Sequence, residues 1–234
     1  MRNDGRDPVI FFVFLFGFYR MTWYNFIREK CITYRGKPHV KEEKGMLDFI
    51  QQTDWAILHG IQNSLRCGFM DFILPKITTL GNGGAIWITL AVCLMISRKY
   101  RRYGFVMLSA LAAGALIGNI CLKPLVARAR PCWIENVSLL IRNPKDYSFP
   151  SGHTLSSVIG AVVLTAADRK FGWFAIPLAA LIAFSRLYLY VHFPSDVFTA
   201  AVMGVIIGLA MVMLAKKVLF PRWEKVGRDG LTEV

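Results

Sequence analysis

Apolar runs separated by short charged segments fill the chain from residue 85 onward. Five of these runs, at residues 85–96, 104–122, 155–167, 173–189 and 197–215, are apolar enough to form the centres of membrane-spanning helices. A helix needs about 20 residues to cross the hydrocarbon core of a bilayer, so the shorter runs must extend into their flanks. The pattern predicts an all-α fold, a polytopic membrane helix bundle of five to six spans.

The pattern before residue 85 is less regular. Apolar side chains at residues 46–80 recur at roughly helical spacing, which predicts an interfacial amphipathic helix before the core of the bundle. A short apolar run at residues 9–19 is a possible anchor or first span. We therefore divide the chain into an N-terminal extension at residues 1–45, a membrane domain at residues 46–219 and a basic cytoplasmic tail at residues 220–234. A translation start at Met46 would remove the extension.

Composition agrees with a membrane protein. Hydrophobic residues make up 55% of the 234 residues and charged residues only 18%. This apolar excess disfavours a water-soluble domain, and it also disfavours intrinsic disorder, because disordered chains are poor in apolar residues. The five cysteines are odd in number and lack the spacing of a zinc finger, so neither a disulfide framework nor a zinc site is predicted.

The net charge of +13 has a distribution that predicts orientation. Lys and Arg collect after the first, third and fifth apolar runs, at residues 98–102, 169–170 and 216–228. If the spans alternate, these regions share one face, and the positive-inside rule makes that face cytoplasmic. We expect a multi-pass protein of the cell membrane, with residues 123–151 and the turn around His192 on the extracytoplasmic side.

Two cations, Lys123 and Arg130, follow the second apolar run. Their spacing of seven residues corresponds to almost two helical turns, so a continuous helix would present both on one face, aimed at one spot. A cationic belt that snorkels to the membrane surface explains these residues equally well when they are considered alone.

The segment YSFPSGH, from Tyr147 to His153, comes directly before the third apolar run. Ser151 is suited to cap the helix and Gly152 allows close approach of the backbone, so the N–H groups of the first turn can bind an anion. His153 lies in that first turn. An ordinary capped helix with an interfacial histidine is the simpler explanation of this segment alone.

The segment SRLYLYVHFPSD runs from Ser185 to Asp196. Arg186 lies among apolar residues, where an arginine is costly unless it faces a cavity or a partner, so a functional role is favoured. Pro194 suits the first turn of a helix, which predicts a tight turn at His192. Asp196, four residues further on, can hold one imidazole nitrogen and leave the other free to attack.

Together the three segments supply three cations, an anion-binding helix start, two histidines and a carboxylate on one predicted membrane face. This set suits phosphoryl transfer, in which cations and N–H groups neutralise phosphate oxygens, one histidine attacks and the other protonates the leaving oxygen. The sequence lacks the acidic clusters of two-metal hydrolases. It therefore predicts a metal-independent reaction through a phosphohistidine, with no cofactor.

The three segments resemble, in order and without a departure, the tripartite signature of the type 2 phosphatidic acid phosphatase superfamily. The resemblance covers roughly residues 47–219 and is to the small bacterial integral-membrane members. The matching positions are Lys123, six residues and Arg130-Pro131; Pro150-Ser151-Gly152-His153; and Ser185-Arg186, five residues, His192, three residues and Asp196.

The resemblance implies a role for each matched residue. His192 is then the nucleophile, Asp196 orients and activates it, and His153 is the acid for the leaving group. The residues that bind the phosphoryl oxygens are Lys123, Arg130, Ser151, Gly152 and Arg186. Members of this kind dephosphorylate lipids, usually at a site that faces away from the cytoplasm. We expect undecaprenyl diphosphate as the substrate, ahead of phosphatidylglycerol phosphate or phosphatidic acid.

Two alternative functions use the same residues. Vanadium-dependent haloperoxidases have a similar site, but they are soluble and much larger, so the membrane composition disfavours them. The non-enzyme alternative is a lipid- or anion-binding membrane protein, in which the paired histidines and Asp196 have no evident purpose. The expected partners are a lipid phosphate and the bilayer, with no nucleic acid, and the oligomeric state is left open.

A glycine-rich segment, a long loop and His59 lie outside the positions that match the signature. The glycine-rich segment from Gly81 to Gly84 lacks the Lys-Ser/Thr of a phosphate-binding loop and is predicted to be a turn into the next span. The loop at residues 132–149 is either an interfacial lid or a segment that rests on the membrane. His59 is predicted to be a surface residue.

Overall fold

The computed structural model describes residues 43–135 and 137–221 of the chain. All the regular structure in this part is helical, which confirms the all-α prediction. The predictions for the N-terminal extension and the basic tail fall almost entirely on residues outside the described ranges. The chain divides into two units, Met1–Thr53 and Asp54–Val234, and the bundle and the candidate site belong to the second.

We label the α-helices in chain order. A short 3₁₀ turn, Asn82–Gly84, separates α2 from α3, and π-helical segments, Ala115–Leu122 and Ala215–Leu219, follow α4 and α9. The α-helices are α1 (Glu43–Leu65), α2 (Gly68–Leu80), α3 (Ala85–Ile96), α4 (Arg101–Gly114), α5 (Lys123–Val126), α6 (Pro131–Ile134), α7 (Gly152–Ala167), α8 (Arg169–Tyr188) and α9 (Pro194–Leu214).

Within the described residues, three helical segments are long and apolar enough to cross a membrane: Arg101–Ile134, Arg169–Tyr188 and Pro194–Leu219. The pair Gly68–Leu80 and Asn82–Ile96, bent by 44°, makes a fourth if it forms one broken span. Helix α7 is apolar but only 16 residues long. All five predicted apolar runs therefore lie almost wholly in helices, while the count of five to six spans stays a prediction.

The predicted amphipathic helix at residues 46–80 is two helices in the structure. Helix α1 ends at Leu65 and α2 begins at Gly68. Helix α2 is apolar, buries Leu74 and Thr78, and pairs with α3 across the bend. No stop signal in the sequence was strong enough to predict this break, and the position of α1 at the interface stays a prediction.

Helix α7 is packed among α4, α8 and α9. Its contact with α3 depends on Gly160, because a Cβ at this position would lie 2.3 Å from the ring of Trp87. The indole N–H of Trp87 donates to the hydroxyl of Ser157, 3.0 Å away. Such close packing through small residues is common among membrane helices, and it holds α7, whose first turn carries residues of the candidate site, against α3.

Helix α9 presents a continuous apolar face to its surroundings. Its exposed side chains include Phe198, Val202, Val205, Leu209 and Met213. An apolar surface of this extent is unfavourable in water and suits contact with lipid chains. The chain is accordingly a membrane protein.

Candidate active site

Lys123 and Arg130 come together, but not on one helix face as the spacing predicted. Helix α5 ends at Val126, and Ala127 adopts a left-handed conformation with φ of 49°. This reversal of the backbone, which the sequence pattern did not reveal, separates the two residues into different elements. They converge because both bind the carboxylate of Asp146, with Arg130 Nη2 2.8 Å from Oδ1 and Lys123 Nζ against Oδ2.

Arg130 is anchored on several sides and is almost completely buried. Its Nε donates to the carbonyl oxygen of Asp146 at 2.7 Å, and its Nη1 donates to the carbonyl oxygen of Val191 at 2.6 Å. The same Nη1 lies 3.0 Å from Nε2 of His192. The guanidinium therefore lies directly in front of the predicted nucleophile.

Arg186 faces the cavity, as the cost of an arginine at this depth predicted. Its Nη1 donates to the hydroxyl of Thr78 on α2, at 2.6 Å. The cavity has a volume of about 1410 Å³. The matched residues that line it are Lys123, Arg130, Gly152, His153, Arg186 and His192. The three motifs thus meet in one place, with Ser151 and Asp196 fully buried and outside the cavity lining.

Asp196 does not hold the imidazole of His192 directly. The distance from Oδ2 to Nδ1 is 3.7 Å, too long for a good hydrogen bond. The hydroxyl of Ser148 donates to Oδ2 at 2.5 Å and lies 3.4 Å from Nδ1. Ser148 therefore bridges the predicted pair, and the side of the ring that carries Nδ1 faces the carboxylate.

The environment of His192 favours a neutral ring. Burial lowers its pKa well below the usual value, and the cations Arg130, Arg186 and Lys123 lower it further. A neutral ring with its proton on Nδ1 leaves a lone pair on Nε2, which is consistent with the hydrogen bond from Arg130. That lone pair points toward the cationic side of the site.

The start of α7 has the predicted cap. The hydroxyl of Ser151 accepts from the amide of Thr154 at 3.5 Å and from its hydroxyl at 3.0 Å. At Gly152 a Cβ would lie 2.9 Å from Oδ1 of Asn119, so a larger residue here would have to displace the side chain of Asn119. Gly152 and His153, in the first turn of α7, both line the cavity.

His153 has a partner that the motifs did not indicate. Its Nε2 lies 2.9 Å from Oδ1 of Asn82, in the turn between α2 and α3. The turn predicted from Gly81 to Gly84 is present, and it also orients a histidine of the site. The adjacent Gly81 leaves room for the ring, because a Cβ there would lie 2.8 Å from Cδ2 of His153.

Asp146 occupies the cationic side of the cavity. Although burial alone would raise its pKa, hydrogen bonds and charges from Lys123 and Arg130 outweigh that effect and lower the pKa to about 2. The carboxylate is therefore ionised at any physiological pH. It bridges the two cations that a bound phosphate would need, so an incoming oxyanion has to compete with it.

Several polar residues of the site were not predicted from the sequence, among them Asp54, Asn82, Arg128, Asp146 and Ser148. Arg128 lies within the first motif segment, between Lys123 and Arg130, and was a visible cation that no spacing rule singled out. Its Nη1 donates to Oδ1 of Asp196 at 2.5 Å. His59, predicted to be a surface residue, is half exposed, and its Nε2 lies 3.1 Å from Oε1 of Glu135.

Within residues 43–135 and 137–221, no three His, Cys, Asp or Glu side chains are grouped closely enough to hold a metal ion. The arrangement in the cavity is instead one of fixed positive charge around a neutral imidazole. Such a site can neutralise the oxygens of a phosphoryl group while a ring nitrogen approaches the phosphorus.

Comparison with known proteins identifies a matching family and related membrane phosphatases. A sequence model described as the PAP2 superfamily matches residues 103–219. The chain is 33% identical over 121 residues to the undecaprenyl-diphosphatase of Sulfolobus acidocaldarius, a match that covers 51% of this chain and 58% of that protein. It is 30% identical over 155 residues to the undecaprenyl-diphosphatase BcrC of Bacillus subtilis, which covers 64% and 77%. The chain thus spans less than two thirds of the Sulfolobus protein.

A solved structure shares the fold. The transmembrane PAP2-type phosphatidylglycerolphosphate phosphatase from Bacillus subtilis superposes with a TM-score of 0.62 at 22% sequence identity. The superposition covers 88% of this chain and 96% of that one.

Proposed function

We propose that this chain, which belongs to the PAP2 superfamily, is a membrane lipid phosphatase that removes the terminal phosphate of a polyprenyl diphosphate, most simply undecaprenyl diphosphate. The observation that carries the proposal is the position of His192 Nε2 beside Arg130, in a cavity that Lys123 and Arg186 also line. A buried neutral imidazole surrounded by fixed cations suits nucleophilic attack on a phosphoryl group.

The proposed reaction has two steps. In the first, the phosphoryl oxygens contact the three cations and the start of α7, and Nε2 of His192 attacks the phosphorus. The bond between phosphorus and the leaving oxygen breaks, and His153 gives that oxygen a proton. Positive charge develops on the imidazole of His192, and the carboxylate of Asp196 stabilises it across Ser148.

In the second step a water molecule replaces the lipid product. His153, now neutral, accepts a proton from this water, whose oxygen attacks the phosphorus. The bond from phosphorus to Nε2 breaks, inorganic phosphate leaves and His192 returns to its neutral state. Protons and electron pairs balance over the two steps without a metal or a cofactor.

The cavity supports a lipid substrate. Beside the cationic residues it is lined by apolar side chains of α3, α4 and α7, among them Ile88, Leu108, Leu111 and Ile159. An acyl or prenyl chain can occupy such a surface while the phosphate binds the cations. Two relatives named undecaprenyl-diphosphatases favour a diphosphate of a long prenyl chain.

We further propose that the site faces the extracytoplasmic side of a multi-pass protein whose membrane domain is residues 46–219. Basic residues lie at the junction of α3 and α4, at the start of α8 and after α9, at residues 98–102, 169–170 and 216–217. The site residues lie at the opposite helix ends, at the start of α7 and the end of α8. The positive-inside rule then puts the site outside.

Phosphate release by the purified protein in detergent tests this function. The substrates are undecaprenyl diphosphate, phosphatidylglycerol phosphate, phosphatidic acid and a water-soluble phosphate ester, each with and without EDTA. We expect the highest kcat/KM with undecaprenyl diphosphate and no loss with EDTA. A glycerophospholipid turned over faster would replace the proposed substrate, and loss of activity restored by magnesium would replace the mechanism. Binding of these lipids without release from any of them would identify a binding protein.

A further inference from the structure

A buried arginine lies between two carboxylates on the side of His192 that faces away from the cavity. Arg128 Nη1 lies 2.5 Å from Oδ1 of Asp196, and Arg128 Nη2 lies 2.6 Å from Oδ2 of Asp54. The relative exposures are 3% for Asp54, 4% for Arg128 and 0% for Asp196. None of these three residues lines the cavity, so they do not bind the phosphate.

Asp54 also holds the first turn of α9. Its Oδ1 accepts from the amide of Ser195 at 2.8 Å, and its Oδ2 accepts from the Ser195 hydroxyl at 2.5 Å. The guanidinium of Arg128 lies over the ring of Phe193, 4.1 Å from its centroid. The turn that carries His192 is therefore fixed from α1 as well as from its own helix.

The charges of this cluster do not cancel. Arg128, Asp54 and Asp196 carry one positive and two negative formal charges, so these three buried side chains have a net formal charge of −1. Burial of ionised groups is costly, and a single pair of Arg128 with Asp196 would satisfy the geometry with no net charge. Asp54 therefore contributes a charge to the cluster in addition to its hydrogen bonds with Ser195.

We propose that Asp54 is a positioning residue for phosphoryl transfer, because it neutralises Arg128 and so leaves the negative charge of Asp196 available to His192. The inference rests on the proposed role of His192 as the nucleophile. When Nε2 bonds to phosphorus, the ring becomes positive, and the nearest buried counter-charge is the carboxylate across Ser148. If Arg128 paired with Asp196 alone, its positive charge would cancel the negative charge of Asp196.

Within the described part of the chain, other charged and titratable groups near His192 lie on the cavity side of its ring. They are Lys123, Arg130, Arg186, His153 and Asp146. A bound phosphate offsets the cations among them. The balance on the Ser148 side is then set by Asp196, Arg128 and Asp54, which gives the three residues effects of opposite sign on His192.

The test compares Asp54→Asn, Arg128→Gln and the double variant by kcat, KM and the pH dependence of kcat/KM. Asp54→Asn removes a negative charge, so kcat falls about ten-fold at nearly constant KM, and the acid limb moves to lower pH. Arg128→Gln removes a positive charge, so the acid limb moves to higher pH. In the double variant the net charge is again −1, and both kcat and the acid limb return toward the wild-type values.

Controls separate this effect from a structural one. Asp48→Asn, at a partly exposed position on the same helix, should leave all three quantities unchanged. If Asp54→Asn does not fold, Arg128→Gln and the charge-preserving Asp54→Glu supply the comparison, the latter with the wild-type acid limb. Shifts of the same sign for Asp54→Asn and Arg128→Gln, no shifts, or a double variant worse than either single one would overturn the proposal.

One additional variant distinguishes a wrong role for Asp54 from a wrong proposed function. His192→Ala is assayed beside the other variants. If it still releases phosphate, the nucleophile is wrong and the proposed mechanism fails. If it is inactive while the opposed pH shifts are missing, only the role of Asp54 is wrong.

Discussion

His192 and Asp196 are held apart, with Nδ1 of the imidazole 3.7 Å from Oδ2 of the carboxylate. The hydroxyl of Ser148 occupies the space between them and donates to the carboxylate. This hydroxyl has one proton, so it cannot also donate to Nδ1 while it is bonded to Asp196, and it is free to accept from the protonated Nδ1. The predicted nucleophile His192 therefore interacts with the carboxylate of Asp196 through the hydroxyl of Ser148.

Substitution of Ser148 should reduce turnover. Ser148→Ala removes the bridge, and a hydrogen bond to a charged group contributes about 1.5–3 kcal/mol, so kcat should fall about ten- to hundred-fold. KM for the lipid should change little, because the residues that line the cavity are intact. Ser138→Ala, at an exposed position of the same loop, is the matched control. Wild-type kcat in Ser148→Ala would show that the bridge has no part in the reaction.

The contact of Asn82 with His153 should matter most in the first step, when the leaving group needs a proton, because His153 assists the second step with every substrate. Asn82→Ala frees the ring of His153, and the rate of leaving-group release in a single turnover of a lipid diphosphate should fall about ten-fold, less than the 10²–10⁴-fold expected of a general acid removed outright. With a nitrophenyl phosphate, whose leaving group needs little protonation, the loss in the same measurement should be much smaller. Asn63→Ala, at an exposed position on α1, is the control. Equal losses with both substrates would contradict the assignment of His153 as the acid.

Asp146 should compete with phosphate. Asp146→Asn removes a charge from the two cations that it bridges, so the inhibition constant of inorganic phosphate should fall about three- to ten-fold, a range that allows for the partial exposure of this pair. The matched charge control is Glu135→Gln, which removes a carboxylate bonded to Tyr190 instead. Weaker inhibition in Asp146→Asn would mean that this carboxylate organises the cations rather than competing for them.

The pH dependence of kcat/KM should reflect the lowered pKa of His192. The nucleophile must be neutral, so activity is lost as the pH falls through its pKa in the free enzyme. Because burial and neighbouring cations lower that pKa well below 6.5, the acid limb should lie below the usual histidine range. An acid limb at or above pH 6.5 in the wild type would contradict the neutral, buried ring.

The sequence was sufficient to predict those features of the fold and of the site that depend on spacing along the chain. The apolar runs predicted an all-helical membrane protein, and the motif segments predicted residues that line one cavity, Lys123 and His192 among them. The local signals also held, since Ser151 caps α7 and Pro194 begins α9.

The rest depended on contacts between distant parts of the chain. Asp54 binds an arginine 74 positions away, and Asn82 contacts a histidine 71 positions away, so no local pattern marks either one. The left-handed conformation of Ala127 also could not be predicted, because alanine favours a helix and tertiary contacts overrode that preference. Spacing rules therefore placed Lys123 and Arg130 correctly together for the wrong reason.

Capture of phosphate on the protein tests the proposed role of His192 as the nucleophile most directly. The enzyme is mixed with a polyprenyl diphosphate labelled in its terminal phosphate, quenched in alkali and digested, and the label is located by mass spectrometry. We expect an acid-labile, alkali-stable phosphate on His192, which disappears in His192→Ala together with turnover. Label on another residue, or continued phosphate release by His192→Ala, would contradict it.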